Sequence, residues 1–375
     1  MSAHDKKDIV SDPFKEYRRA EDPTKREKAY YWRTAIGLQD VDELTPSRYL
    51  VETAKKEIEG EISMAEVRSR LNAYYEERRE EEGERTQEAD KVSARIAEIL
   101  SESGFTFSIA EILSIHKRLF EGIYPHAGEL RTYNITKKEW VLDGDTVTYG
   151  TAPELRATLE YDLEKEREFR YDGLGEGAIL RRLSLFLAGL WQIHPFAEGN
   201  TRTVAVFFIK YLRSLGYPSV TNDAFADHSF YFRNALVRAN YTNLRLSVSA
   251  TTEYLERFLR NLLYGEDNVL QSRALHLSFS RRQDIGDAKQ DIGGEKRDID
   301  MPSAKTERHV HLLFSCFGTS GIFSRKDVVA LLTLSPAAAS ALLKKMLDHD
   351  VIEEVKGQGK GRYRFRGVHA TSFIM

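Results

Sequence analysis

One cysteine in 375 residues, Cys316, leaves no room for an internal disulfide framework and fits a reducing compartment. Its neighbours, Leu312-Leu313-Phe314-Ser315 and Phe317, suggest a small apolar core side chain rather than a reactive thiol. Charge of one sign is lacking too. Lys and Arg number 55 against 58 Asp and Glu, a net charge of −3, which implies no chain-wide affinity for polyanions. No apolar run reaches membrane-spanning length without charges, so no membrane partner is expected. The opening Met-Ser-Ala-His-Asp-Lys-Lys lacks the apolar region of a signal peptide, and a cytoplasmic location is expected. Residues 1–28 are poor in large apolar groups and read as a flexible N-terminal arm. The length exceeds one average domain and allows a large core.

The most informative stretch is His194-Pro195-Phe196-Ala197-Glu198-Gly199-Asn200-Thr201-Arg202. It joins two apolar runs, Ile179 to Ile193 and Val204 to Leu215, the second closed by Gly216 and Pro218 as a helix stop would be. Both runs are too long for ordinary strands and apolar nearly all round, so they predict two buried helices. A polar loop between buried helices costs stability, and its composition points to chemistry. A helix N-terminus offers unpaired N–H groups to phosphate oxygens. Gly199 lets backbone approach an anion. Glu198 is a hard oxygen ligand of the kind Mg2+ accepts beside phosphates and waters. Arg202 can hold a phosphate through two bonds. His194 can take a proton near neutral pH. Alone, each residue would more simply be a structural histidine or a solvated charge; together they serve one reaction.

The stretch resembles the signature of Fic-domain proteins, H-x-F-x-[DE]-G-N-G-R-x-x-R, and Ile115 to Arg131 resembles a segment upstream of it in that family. The likeness covers roughly residues 105–264. It implies a protein adenylyltransferase, which moves AMP from ATP, with Mg2+, onto a Ser, Thr or Tyr hydroxyl of a target protein and releases pyrophosphate. By position, His194 would be the base and Phe196 the loop's anchor. Glu198 would hold the metal, Gly199 and Asn200 would cradle the phosphates beside Thr201, and Arg202 would clamp them. Thr201 stands where the family usually has Gly, which narrows the anion hole unless its φ is negative. Ala205 stands where the second Arg is expected. These departures leave two alternatives: a catalytically degenerate Fic protein acting as a DNA-binding or protein-interaction regulator, or transfer from another nucleotide donor.

Residues 29–90 resemble the antitoxin-like helical module that accompanies some Fic proteins. Ser63 with Glu66 is a capping box, and Val67, Leu71 and Tyr74 follow at helical spacing. The module's usual Ser/Thr-x-x-x-Glu pattern is missing, and Ile36 falls nearest the place of its Glu. Since losing both partners of a buried ion pair can be nearly neutral, an apolar contact between Ile36 and Ala205 is expected instead.

The Fic core is expected over 91–277. Ser108 to Glu111 is a second capping box. Asp143-Gly144 between β-rich runs predicts a hairpin over 132–149, which the resemblance makes a flap that registers the target by strand-like pairing. Trp140, Leu142 and Tyr149 are its contact candidates. Tyr231 and Asn234, in a helix rich in aromatics, are candidates for the nucleotide pocket.

Residues 278–306, polar and rich in Gly and charge, read as a linker. Residues 307–375 resemble a winged-helix module: apolar helical spacing over 310–317, cap signals at Ser324 and Ser335-Pro336, then two strand-like runs around Lys356-Gly357-Gln358-Gly359-Lys360-Gly361. That tip lacks the Gly-Lys-Ser/Thr and following helix of a phosphate loop. Lys356, Lys360, Arg362 and Arg364 suit DNA phosphates, although Ala337, Ala338 and Ala339, which open the would-be recognition helix, offer bases no hydrogen bonds. The expected fold is mainly α: a Fic-type helical bundle with a β-hairpin flap and a small C-terminal winged-helix domain.

Overall fold

Start and stop signals in the sequence set most element boundaries. The computed structural model describes residues 12–77, 83–217, 223–277, 310, 313, 317, 321–332, 334, 336–348, 351–355 and 361–366. These fall into two compact units, one drawn from Met1–Tyr241 and Ala250–Gln283, the other from Thr242–Ser249 and Asp284–Met375.

In the first unit α1 (Pro23–Gly37) starts on Asp22, whose side chain accepts from the Thr24 N–H, with Pro23 where a missing N–H costs nothing. α2 (Arg48–Glu59) is capped by Ser47 and stops at Gly60 in the left-handed region. α3 (Met64–Glu77) opens on the full capping box, with Ser63 N–H bonded to Glu66 and Glu66 N–H bonded to Ser63. α4 (Glu84–Ser101) and α5 (Ile109–Phe120) follow. At the start of α5 the Ser108 hydroxyl accepts from Glu111 N–H. α6 (Leu155–Glu168), α7 (Glu176–Ile193), α8 (Asn200–Ser214), α9 (Asp223–Ala239) and α10 (Glu253–Tyr264) complete the unit.

The two apolar runs form α7 and α8 as expected. α8 is buried at every residue from Asn200 to Leu212, so it is the axis against which α4, α5 and α7 pack. Lys210, inside that core, donates to the carbonyls of Ile99 and Glu102 at the end of α4, where a helix terminus welcomes a cation.

Two boundaries differ from expectation. Residues 12–28, assigned to the arm, are packed: Phe14 is fully buried, and Asp12 lies 3.1 Å from Arg33 of α1. One buried aromatic and one buried arginine outweigh the poverty of apolar residues around them. The expected module 29–90 also shares a unit with 91–277, because α1 packs along α4 and α9. The crossing with α9 is close. A Cβ on Gly37 would stand 2.3 Å from the Ala226 carbonyl oxygen.

The chain reverses at Asp143-Gly144 as predicted, but residues 132–149 contain no paired strands. Trp140–Leu142 is a single 3-10 turn, and Asp143 takes a left-handed φ of 55°. Across the reversal Glu139 N–H donates to the Asp145 carbonyl and the Glu139 carbonyl accepts from Gly144 N–H, and the arms spend other hydrogen bonds elsewhere. Gly150 N–H donates to the Gln192 carbonyl, the Gln192 side chain donates to the Thr148 carbonyl, and the Val141 carbonyl accepts from Leu277 N–H. Pinned to the end of α7, the arms have little left for each other.

In the second unit α11 (Arg325–Leu332) and α12 (Pro336–Asp348) pack together and against a three-stranded antiparallel sheet. Its strands, β1 (Phe323–Ser324), β2 (Ile352–Glu354) and β3 (Arg362–Phe365), run in the order β1-β3-β2, with Phe323 opposite Tyr363 and Ile352 opposite Phe365. Phe323, Val328, Leu343, Met346 and Phe365 form its core. Residues 278–306, the expected linker, lie outside the described residues, as do Lys356, Lys360 and Pro218.

Candidate active site

The loop between α7 and α8 is held from three sides. His194 ends α7 at φ 50°, a left-handed conformation rare for a side chain of this kind. Arg131 fixes it there. Its Nε donates to the His194 carbonyl at 2.8 Å, its guanidinium also bonds the carbonyls of Tyr133, Gly150 and Ile193, and its own N–H bonds the Pro195 carbonyl. Asn200 ties the loop to itself: the amide donates to the Phe196 carbonyl at 2.7 Å and accepts from Phe196 N–H at 2.9 Å. His116 supports it from below, with its ring stacked on Phe196 at 3.7 Å.

The tautomer of His116 follows from its partners. Gly128 N–H donates to Nδ1, so Nε2 carries the proton and donates to the Glu198 carbonyl at 3.1 Å. Burial pushes its pKa down to about 4, and the ring is neutral at physiological pH.

The same reasoning settles His194. Nδ1 lies 3.2 Å from the Trp191 carbonyl, which can only accept, so Nδ1–H donates and Nε2 keeps its lone pair. Desolvation, then the positive charges of Lys137, Arg233 and Arg131, hold its pKa well below the usual 6.5, against the opposing hydrogen bond to Trp191. The result is a neutral base at pH 7. Tyr149 packs on the imidazole with ring centres 4.3 Å apart.

Glu198 faces outward, its side chain 56% exposed, with Lys137 Nζ at 3.2 Å. Among the described residues no group of three His, Cys, Asp or Glu could hold a metal ion. A lone exposed carboxylate fits Mg2+, which takes most of its ligands from phosphates and water. Gly199 follows at φ 72°, and an added Cβ would stand 2.3 Å from the Phe120 ring, so only glycine fits. As N-cap of α8 it supplies no side chain, so no side-chain cap takes the first N–H groups of the helix, the groups that suit an anion.

Thr201 sits in the first turn of α8 with no positive φ, and its hydroxyl accepts from the Trp191 indole N–H at 3.0 Å. The substitution for Gly therefore adds a tether between the two core helices.

Arg202, expected as a phosphate clamp, turns inward. It is 1% exposed. Nε pairs with Asp42 at 2.8 Å, Nη2 with Glu88 at 2.7 Å and Tyr124 at 3.3 Å, and Nη1 donates to Gln39 at 3.1 Å, while the guanidinium lies over the Phe120 ring. Both Nη atoms are hydrogen-bonded and Nε stands against the Asp42 carboxylate without a hydrogen bond, and the partners lie mostly before position 90. This polar cluster joins the N-terminal segments to α8. Ala205 is fully buried, and Ile36 half-buried.

Other candidates move as well. Tyr231 is 2% exposed and donates to the Tyr254 carbonyl, and Asn234 is fully buried with neither amide atom bonded. Both belong to the core of α9 rather than to an open pocket. Leu142 is fully buried, and Tyr149 turns in to bond Glu139 at 3.0 Å. Of the three flap residues Trp140 alone stays on the surface, packed on Phe230 and His276. Buried Glu139, in turn, holds Arg233 at 2.8 Å. In the second unit Arg362 is exposed, and Arg364 is drawn to Glu353 at 2.5 Å.

His116, Arg131, Lys137 and Glu139 were not singled out from sequence. Each acts on the loop or its surroundings from tens of residues away, and nothing in local spacing marks them.

Comparison with known proteins gives these residues a context. Residues 106–212 match the Fic/DOC family. A protein adenylyltransferase of Bartonella schoenbuchensis, VbhT, is 31% identical over 111 residues, 30% of this chain and 22% of that protein. A probable protein adenylyltransferase of Sinorhizobium fredii, y4lH, is 31% identical over 125 residues, 33% of this chain and 61% of that protein. The match thus spans about a fifth of the first relative and three fifths of the second. Among solved structures, a Fic family protein from Desulfovibrio desulfuricans aligns over 92% of this chain and 87% of its own at 17% identity and a TM-score of 0.42. The type IV secretion system effector protein BepA aligns over 55% of this chain and 67% of its own at 18% identity and a TM-score of 0.34. Among the described residues no helix is long and apolar enough to cross a membrane.

Proposed function

We propose, on the premise that residues 106–212 belong to the Fic/DOC family, that this protein transfers AMP from ATP to a hydroxyl side chain of a target protein. The observation that carries the reading is the His194 tautomer: Nδ1–H is tied to Trp191, and Nε2 is left as a neutral base beside the open start of α8. In the reaction, Nε2 takes the proton of a Ser, Thr or Tyr hydroxyl. That oxygen bonds to the α-phosphorus, the bond from the α-phosphorus to the β-bridging oxygen breaks, and pyrophosphate leaves with the electron pair. Mg2+ at Glu198 would neutralise phosphate charge. The first N–H groups of α8 receive the phosphate oxygens, and Arg131, Asn200 and His116 keep the loop in register.

The test is incubation with target extract, Mg2+ and ATP labelled at the α-phosphate. Label in protein is expected with the wild type and absent with His194→Ala. Label that survives His194→Ala overturns the assigned base. The inward turn of Arg202 favours a second reading, a regulator that binds without transferring. No incorporation from any nucleotide selects that reading.

For the second unit we infer a winged helix, supported by two packed helices and a short antiparallel sheet in the order β1-β3-β2. Among the described residues Arg362 is its exposed basic residue nearest the strand turn. A gel shift that weakens steeply with salt supports DNA as its partner; no shift at low salt removes that assignment.

A further inference from the structure

The loop lies among four cations, and three are committed. Arg131 bonds four carbonyls. Arg233 is held by Glu139, itself fully buried. Arg202 is enclosed by Asp42, Glu88 and Gln39. Position 205, where a further cation would stand, is a buried alanine. Lys137 differs. It is part-exposed, and its hydrogen-bond partner among the described residues is the exposed carboxylate of Glu198, at 3.2 Å. Its charge reaches His194 as well, where it is the strongest of the three cations that hold the imidazole neutral. One part-exposed ammonium therefore stands beside the Glu198 carboxylate, with its charge also felt at the base.

We infer that Lys137, not Arg202, is the side chain that grips the phosphate chain of the nucleotide. This rests on the reading of the site as a nucleotidyl-transfer centre. With Glu198 committed to a divalent cation, the ammonium loses its carboxylate and has the phosphate oxygens as its nearest anions. It swings on a four-carbon stem from the extended segment above the loop, so the change of partner needs no movement of α8. Arg202, itself buried, would have to leave two part-buried carboxylates to do the same work. In the resting protein the Lys137–Glu198 pair keeps both charges satisfied.

Affinity for ATP and for AMP, measured by calorimetry with Mg2+ present, tests the assignment. Lys137→Met is expected to weaken ATP about tenfold to a hundredfold, the range of a charge-assisted hydrogen bond, and to weaken AMP, with less charge, by less. Lys137→Arg should keep most of the ATP affinity. Glu198→Gln, which frees the ammonium, should tighten metal-free ATP binding, and that gain should shrink in Glu198→Gln/Lys137→Met. Unchanged melting temperatures identify the effect as local. If the wild type binds ATP and Lys137→Met binds it equally well, Lys137 is not the contact, whatever the activity of the site. If the wild type binds no ATP, the nucleotidyl-transfer reading fails and this inference with it.

Discussion

The two ends of one nine-residue stretch have opposite characters. At the front, His194 keeps a lone pair free and Glu198 stands in solvent with one lysine. At the back, Arg202 is enclosed by two carboxylates, an amide, a phenol and an aromatic ring. Sequence spacing puts both ends in one reaction. Partners separate them, since both His194 and Arg202 are buried: the exposed carboxylate of Glu198 can exchange its lysine, whereas Arg202 is already matched to two carboxylates. A shared motif thus fixes where residues sit along the chain without fixing which way their charges look.

The widest test of this contrast removes the back. Asp42→Asn/Glu88→Gln leaves a buried guanidinium without its counter-charges and should cost about 3–5 kcal/mol of stability in urea titration. Adding Arg202→Met should recover part of that, and ATP affinity corrected for folding should stay near the wild-type value. A large loss of affinity in a folded Arg202→Met background would return Arg202 to the phosphates.

Gly199→Ala strikes the hinge between the ends. Its Cβ would meet the Phe120 ring, in a backbone conformation that disfavours side chains. A loss of about 1–3 kcal/mol is expected from thermal melts, with partial relief in Phe120→Leu. No loss would show that the loop can take another path.

The front end predicts a pH profile. The folded pKa of His194 lies below 6.5, so the base keeps its lone pair as pH falls through 6.5, and the acid limb of kcat/KM should lie below that value. The stability linked to this group has the same sense. The unfolded chain takes the proton first, so stability is full above 6.5 and declines below it. Lys137→Met should move the limb upward, toward 6.5. A limb that stays in place would mean that the lysine charge does not reach the imidazole.

The smallest effect belongs to a residue of neither end. Asn234 is buried with both amide atoms unbonded, so Asn234→Leu should change stability by about 1 kcal/mol or less, or raise it. Nucleotide affinity should not change. A clear loss of ATP binding would restore Asn234 to the pocket.

Much of the fold was legible. The two apolar runs gave α7 and α8, and Ser47, Ser63 and Ser108 mark helix starts because a hydroxyl in the right place satisfies a bare N–H. The loop residues were legible as a group because the motif is contiguous. The hairpin was legible only as a reversal. Its β-rich arms bond each other only close to the turn, at Glu139 and Asp145, and found further partners at the end of α7 and at Leu277 instead of forming a ladder. The supports of the site were not legible at all: His116 is 82 positions from Glu198, Lys137 is 61, and Gln39 is 163 from Arg202.

The chain's order of residues alone determined which segments would be helices, where they start, and that one short loop would carry a base and a carboxylate. Those outcomes follow from interactions within a few residues, which pattern and capping chemistry express directly. Folding decided the rest: that Arg202 would turn in to a pair of part-buried carboxylates, that His116 and Arg131 would hold the loop, and that Lys137 would stand beside Glu198. These depend on distant segments meeting and on which of several competing acceptors each cation reaches, and desolvation settles that only once the core has closed.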